Sequence, residues 1–200
     1  MSDEDAFLRA ICESPADDAP RLELAEWYEK RAALGDEAKA GLIRQIEDPY
    51  TFPPGSPMRL TYRGREDVFI DVPVIRPDVA WTIRRGFPSG VQAPHDLFLA
   101  LAEEVRLFAH CPIEWVALTD RSPLRFPGGH YVWLRADRGR DSELDPRVFA
   151  ALAEHPGVEA RDDQAVSFPS EEEAVRAVSW ALVKVGREVV GLPPLSSRPG

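Results

Sequence analysis

The 200-residue sequence has no apolar run that approaches the roughly 20 residues a membrane-spanning helix needs. It also lacks a basic stretch near its start, where Ser2-Asp3-Glu4-Asp5 stands instead. A secretory signal peptide opens with such a basic stretch. We therefore expect a cytoplasmic protein without membrane contact.

Cysteine is scarce, which excludes a disulfide-rich scaffold. Cys12 and Cys111 are the two cysteines of the chain, and each lies in or beside an apolar helical pattern. They could form one disulfide, but buried free thiols are the expectation in a reducing compartment.

Spacings that signal metal binding or catalysis are missing as well. The sequence contains no His-x-x-x-His, Cys-x-x-Cys or His-Glu-x-x-His motif. Ser89 lacks the first glycine of a nucleophile elbow, and Gly128-Gly129 is not followed by the lysine of a phosphate-binding loop. We therefore predict no metal, no cofactor and no assigned catalytic residue.

Positive charge is low relative to negative charge. The chain has 24 Lys and Arg against 34 Asp and Glu, a net charge of −10. Residues 1–30 alone hold nine acids and three bases. Binding to a phosphate backbone relies on Lys and Arg, so the charge argues against nucleic acid and favours a basic protein partner.

What the sequence does contain is the composition of an ordinary globular protein, with 44% hydrophobic and 29% charged residues. Its first 48 residues have the spacing of three helices. Ser2 and Asp5 form a capping-box pattern for the first helix, Asp17-Asp18-Ala19-Pro20 is typical of a second helix start, and Gly35-Asp36 separates the second helix from a third over 37–46.

The spacing of apolar residues changes after the proline-rich residues 49–57. Apolar residues then alternate with polar ones to about residue 72, which predicts a hairpin. Beyond it, short strands alternate with amphipathic helices, including one over 96–110 and a last one that starts with the capping-box pattern of Ser170 and Glu173 and ends near Gly186. We predict an α/β fold with mixed α+β character: a three-helix module over 1–48, a linker over 49–57, an α/β domain with a small mixed sheet over 58–192, and a flexible tail over 193–200.

The N-terminal region, residues 3–46, resembles the repeat-companion domain, a short N-terminal domain common in large paralogous sets of planctomycete-type bacteria. The likeness rests on Asp17-Asp18-Ala19-Pro20-Arg21-Leu22, Ala25-Glu26-Trp27, Gly35-Asp36 and Leu42-Ile43-Arg44-Gln45. Glu26 stands where that family usually has Asp. Residues 84–120 look like the segment in which leucine-rich-like repeats begin, although no repeat of 20–29 residues follows. The resemblance implies a docking or scaffold role and no activity.

Two sets of residues are candidates for partner contacts. Asp17, Asp18, Arg21 and Glu26 can form an acidic docking face, or else a helix cap with an intrahelical ion pair. In the last helix, Trp180 and Val183 fall opposite the stripe of expected core residues, which consists of Ala174, Val175, Val178, Ala181, Leu182 and Val185. They can form an exposed aromatic patch, suited also to self-association, unless this helix is covered on both sides.

These patterns predict a non-enzymatic interaction or accessory protein. One alternative is an enzyme whose site is assembled from residues distant in sequence, with His130, Arg84, Arg85 and Asp120 as the first suspects. Another is a nucleic-acid-associated protein that uses a local arginine face. That face is formed by Arg59, Arg63, Arg65, Arg84 and Arg85.

Overall fold

The computed structural model describes residues 2–45, 49–56, 59–62, 66–69, 76–135 and 143–195, with the backbone alone for residues 45, 59–62 and 66–69. The helices are α1 (Asp3–Glu13), α2 (Ala19–Arg31), α3 (Asp36–Gln45), α4 (His95–Glu103), α5 (Leu107–His110), α6 (Pro146–Leu152) and α7 (Glu171–Val189). The strands are β1 (Tyr50–Phe52), β2 (Arg59–Tyr62), β3 (Glu66–Phe69), β4 (Ala80–Arg84), β5 (Phe87–Ala93), β6 (Trp115–Leu118), β7 (Leu124–Arg125), β8 (Tyr131–Arg135), β9 (Glu143–Leu144), β10 (Ala160–Arg161) and β11 (Ala165–Phe168).

Three N-terminal helices followed by mixed strand pairing confirm the predicted α/β fold class. The chain forms two compact units. The first contains Met1–Val91 and Val105–Glu114, and the second contains Gln92–Glu104 and Trp115–Gly200. Among the described residues, no helix is both long and apolar enough to cross a membrane.

The three helices of the first unit begin and end where local signals place them. The Ser2 hydroxyl accepts a hydrogen bond from the Asp5 backbone N–H, and the Asp5 carboxylate accepts one from the Ser2 N–H, so the predicted capping box is present. Pro20 lies in the first turn of α2, where a missing N–H costs nothing. The helices share a core formed by Ile11, Leu24, Ala25, Tyr28, Ala40 and Ile43.

Part of the predicted linker belongs to a sheet. Strand β1 pairs antiparallel with β4, with Tyr50 opposite Ile83 and Phe52 opposite Trp81. The predicted hairpin that follows is confirmed by the antiparallel pairing of β2 with β3. The predicted tail lies outside the described residues from residue 196 onward.

A tight turn joins β4 to β5 in the first unit. Its two residues, Arg85 and Gly86, have φ angles of 48° and 76°. Two consecutive positive φ angles are typical of the two-residue hairpin turn whose twist matches that of the flanking strands. Arg85 adopts a conformation that a non-glycine residue rarely takes, and its side chain is held by the contacts described below.

The second unit packs α6 and α7 against one face of a five-stranded sheet. Its strand order is β10-β11-β8-β7, with β9 parallel to β8 and the other pairs antiparallel. Trp133, Val166 and Phe168 are buried on that face, and the Trp133 indole N–H donates to the Ala174 carbonyl oxygen at 2.9 Å. Helix α7 starts at the predicted Ser170, whose hydroxyl accepts from the Glu173 N–H, but it continues through Gly186 to Val189.

Candidate functional site

Arg21 lies at the centre of a network of charged side chains in the first unit. Its Nη2 is 3.8 Å from the Glu114 carboxylate, and its Nη1 is 3.9 Å from the Asp18 carboxylate. Arg84 contacts both of these carboxylates, at 3.2 Å and 3.4 Å. The Arg85 Nε is 2.9 Å from Asp18. Three guanidinium groups therefore share two carboxylates around the start of α2 and the β4–β5 turn.

Arg21 itself has no exposed surface. Its Nη1 donates to the backbone carbonyl oxygens of Pro15 at 2.6 Å and Asp17 at 3.0 Å. Burial lowers the pKa of the Arg21 guanidinium, and the charges of Glu114 and Asp18 oppose that shift. The prediction that Arg21 contacts a partner is wrong, because its guanidinium is enclosed by the first unit's own backbone and side chains.

The other members of the predicted acidic face are separated. The Asp17 carboxylate accepts from the Ala19 N–H at 2.9 Å, so it satisfies a donor at the start of α2. Asp18 is part of the network around Arg21. Glu26 is exposed and lies 3.9 Å from Lys30 one turn later. Of the four residues, only Asp17 and Glu26 point to solvent, so the predicted face is not continuous.

The predicted aromatic patch on α7 is also wrong in part. Val183 is 2% exposed and belongs to the core of the second unit. Trp180 is half-buried, with its ring centroid 5.3 Å from that of His155 and the Lys184 ammonium 5.4 Å from its centre. Val175, predicted in the core stripe, is instead 42% exposed. The second unit therefore covers α7 on the side of Val183.

His155 makes the stability of the second unit sensitive to pH. Burial, aided by the positive charge of Arg176, lowers the pKa of its imidazole, and Glu173 opposes the shift. The unfolded chain then binds this proton more readily than the folded one, so stability is expected to fall as pH drops below the unfolded value of about 6.5. His155→Asn keeps an acceptor for the Gly157 N–H, which donates to the His155 Nδ1 at 3.0 Å.

Urea unfolding of the wild type and His155→Asn between pH 7.5 and pH 5 tests this expectation. We expect the wild type to lose more stability over that interval than the variant, because the carboxylates that titrate are common to both. Parallel pH curves for the two proteins would contradict the assignment.

Each residue suspected of catalysis has a partner within its own unit. In the second unit, the His130 Nδ1 lies 2.7 Å from the Glu159 carboxylate on the surface, and the Asp120 carboxylate accepts from the His95 N–H at 2.8 Å. In the first unit, Arg84 and Arg85 contact Asp18.

The pairing of these arginines also weakens the arginine-face alternative. The side chains of Arg59, Arg63 and Arg65 lie outside the described residues.

A polar cluster around His95 in the second unit had no signal in the sequence. The buried His95 ring lies 2.8 Å from the Asp96 carboxylate through Nδ1, and its Nε2 accepts from the Asp145 N–H at 3.2 Å. Arg121 donates to the Glu143 carbonyl oxygen at 2.9 Å. These contacts tie the starts of α4 and α6 to the segment after β6. With its ring enclosed, His95 has a structural role.

Neither Cys12 nor Cys111 forms a disulfide, and both are buried. Burial, with a smaller contribution from Cys12, raises the pKa of the Cys111 thiol, which disfavours the reactive thiolate. Within the described residues, no group of three or more His, Cys, Asp or Glu side chains is arranged to hold a metal ion.

The most exposed large apolar side chain of the described residues is Leu34, which is 100% exposed. It lies in the Leu34 loop (residues 32–35), which joins α2 to α3. Ala32, with a φ of 51°, ends α2, and its N–H donates to the Tyr28 carbonyl oxygen at 3.0 Å. Gly35 has a φ of 84°, a conformation that favours glycine.

Asp36, which is 1% exposed, holds the Leu34 loop in place. Its carboxylate accepts from the Ala33 N–H at 2.9 Å and takes two hydrogen bonds from the Arg31 guanidinium, at 2.8 Å and 2.6 Å. Arg31 also donates to Glu4, which accepts from the Tyr28 hydroxyl at 2.6 Å. These hydrogen bonds link the loop to α2 and α3 through Asp36 and Arg31, and to α1 through Glu4.

A recess of about 600 Å³ adjoins the Leu34 loop; we call it the α2–α3 recess. It is lined by Tyr28, Glu29, Ala32, Ala33, Leu34, Gly35 and Glu37. Helical periodicity did not find this site because residues 32–35 fall between two periodic segments. The Gly35-Asp36 pair marked a helix break, but nothing in it indicates whether a preceding leucine is exposed.

Comparisons with protein-family models, with curated proteins and with solved structures give no significant match to this chain. The resemblance of residues 3–46 to the repeat-companion domain stays a prediction.

Proposed function

We propose that this chain is a non-enzymatic interaction or accessory protein that binds another protein through the Leu34 loop. The observation that carries this proposal is the complete exposure of Leu34 on a loop held by the buried Asp36. Single exposed apolar side chains are common on proteins. Leu34 differs from most of these side chains because its loop is already held by hydrogen bonds. Little further backbone entropy is therefore lost when a partner buries it.

The energy available from Leu34 is adequate for a specific contact. Full burial of a leucine side chain is worth about 1.5–3 kcal/mol, which corresponds to roughly a tenfold to hundredfold change in affinity. The exposed alanines beside it, Ala32 and Ala33, add a flat apolar surface. The likeness to the repeat-companion domain, with its implied docking role, points the same way.

The experiment is an affinity capture from lysate of the source organism with wild type, Leu34→Asp and Val175→Asp as baits. Val175 is the matched control, because it is also an exposed apolar residue but lies on α7 of the second unit. We expect a stoichiometric protein captured by wild type and Val175→Asp, and reduced at least tenfold with Leu34→Asp. A partner retained equally by all three baits, or none captured by any, would reject the proposal.

A second copy of this chain is a distinct partner that the same variants identify. Light scattering of the purified protein over a range of concentrations would then show a dimer that Leu34→Asp dissociates and Val175→Asp does not. A monomer at all concentrations leaves a different protein as the partner.

A further inference from the structure

We propose that His95 is a pH-sensitive switch in the second unit, and that proton uptake by its ring opens the β9–α6 corner (residues 143–147). This proposal does not depend on the proposed function, since it concerns a different unit of the chain. It starts from one hydrogen bond. The His95 ring is buried, and its Nε2 accepts from the Asp145 backbone N–H at 3.2 Å.

The Asp145 N–H determines which nitrogen of the His95 ring carries a hydrogen. A backbone N–H can only donate, so Nε2 must be unprotonated to accept from it. Nδ1 then carries the single hydrogen of the neutral imidazole and donates it to the Asp96 carboxylate, which is 2.8 Å away. The neutral ring therefore links the start of α4 to the start of α6 through both of its nitrogens.

Protonation of His95 removes one of these two links. A proton from solvent adds to the lone pair of Nε2, and the ring becomes a cation with a donor on each nitrogen. Nδ1 keeps its hydrogen bond to Asp96. At Nε2, however, two donors now face each other, so the partly buried Asp145 N–H loses its acceptor. Because a buried N–H without a partner is costly, the two groups must separate until water reaches this N–H.

The charges around the ring decide that the β9–α6 corner moves and His95 stays. The Asp96 carboxylate attracts the cationic ring, and the Asp120 carboxylate accepts from the His95 backbone N–H at 2.8 Å. Arg121 lies 3.6 Å from Asp96 and 3.8 Å from Asp120, so it reduces this attraction without removing it. A charged ring therefore remains beside the start of α4.

The β9–α6 corner has a weaker hold on the cationic ring. The Asp145 carboxylate also attracts a charged His95, but it already accepts from the Arg147 backbone N–H at 2.8 Å and from the Arg147 Nε at 3.2 Å. Arg147 also pairs with Glu103 of α4, and Glu143 is a buried acid of β9. The hydrogen bond at Nε2 is thus the contact that depends on the charge of the ring.

The test follows the full chain by NMR between pH 7.5 and pH 5.5. The nitrogen shifts of the His95 ring report which nitrogens carry a hydrogen. Hydrogen exchange of the Asp145 amide, corrected for the intrinsic effect of pH, reports the opening of the corner. His95→Gln supplies a neutral acceptor that does not titrate, and Asp96→Asn keeps the ring but removes its carboxylate partner. His130→Gln is the control, because His130 pairs with Glu159 on the surface.

We expect exchange of the Asp145 amide to accelerate about tenfold or more as the wild-type ring takes up its proton, and to change less than about twofold in His95→Gln. His130→Gln should behave like the wild type. In Asp96→Asn, protonation of the ring and exchange of the amide should move to lower pH together. His155 is present in all of these proteins, so its titration cannot produce the differences.

Three results would overturn the proposal. The first is a His95 ring that carries its hydrogen on Nε2 at pH 7.5, or that stays neutral down to pH 5.5. The second is equal acceleration of Asp145 exchange in the wild type and His95→Gln. The third applies even where His95→Gln does not fold: ring protonation moves in Asp96→Asn, while exchange of the Asp145 amide keeps its wild-type dependence on pH.

Discussion

Replacement of Arg21 by methionine is expected to destabilise the first unit by about 3 kcal/mol, within the range found when one member of a buried ion pair is removed. Arg21 has no exposed surface, and it is the donor to the carbonyl oxygens of Pro15 and Asp17. Methionine fills a similar volume but supplies no donor, so the buried Pro15 carbonyl oxygen and the partly buried Asp17 carbonyl oxygen lose their hydrogen bonds. The midpoint of urea unfolding, followed by circular dichroism and by hydrogen exchange of the α1–α2 segment, measures the loss.

Two further variants separate charge from geometry at this position. Arg21→Lys keeps the charge but cannot reproduce the planar fork, so we expect an intermediate loss of stability. Arg9→Met removes an exposed arginine that pairs with Glu13 one turn later, and its effect should stay below about 0.5 kcal/mol. An Arg21→Met protein as stable as Arg9→Met would show that the network around Arg21 contributes nothing to the fold.

Replacement of Asp36 by alanine is expected to lower the stability of the three-helix region by about 2 kcal/mol, since hydrogen bonds to a charged group contribute about 1.5–3 kcal/mol. The substitution removes the acceptor of the Ala33 N–H and both hydrogen bonds from Arg31. Hydrogen exchange of the Leu34 loop should accelerate with the loss. Partner binding through Leu34 should weaken too, because the loop would have to be ordered on binding.

The hydrogen bonds between Arg31 and Asp36 also predict how the stability of the three-helix region changes with pH. The hydrogen bond from Arg31, assisted by the Ala33 N–H, lowers the pKa of Asp36, and burial opposes this. Its contribution to stability is therefore complete above the unfolded value of about 3.9, and it is lost as pH falls through the lower, folded value. Asp36→Asn should flatten this part of the stability profile, while Glu23→Ala, at an exposed position of α2, should not. Identical acid profiles for wild type and Asp36→Asn would contradict the assignment.

One predicted helix shows where periodicity alone misleads. Residues 96–110 have a continuous apolar stripe, yet the structure divides them into α4, which ends at Glu103, and α5, which starts at Leu107. Arg106 between them has a φ of 53°. The two pieces belong to different compact units. A pattern of apolar residues survives such a break, because each piece still buries its own face, so the pattern cannot reveal the break.

Local sequence patterns are enough to predict the features that depend on neighbours within one turn or one strand. The capping box of Ser2 and Asp5 and the Ser170 cap were predictable because donor and acceptor lie three residues apart. The alternation of buried and more exposed side chains along β11 follows from the same kind of local rule, since successive side chains of a strand point to opposite faces. These local signals sufficed for the α/β class.

Which polar and apolar side chains face solvent depends instead on the packing of segments that are distant in sequence. Arg21 and Glu26 occur in one helix, and the sequence places both on the same predicted docking face. In the structure Arg21 is buried against Pro15 and Glu114, while Glu26 is exposed. Val183 is covered and Leu34 is not, although both are apolar and neither belongs to a predicted core stripe. The physical reason is that burial is set by which distant element packs on a residue, and that choice depends on contacts between segments far apart in the chain.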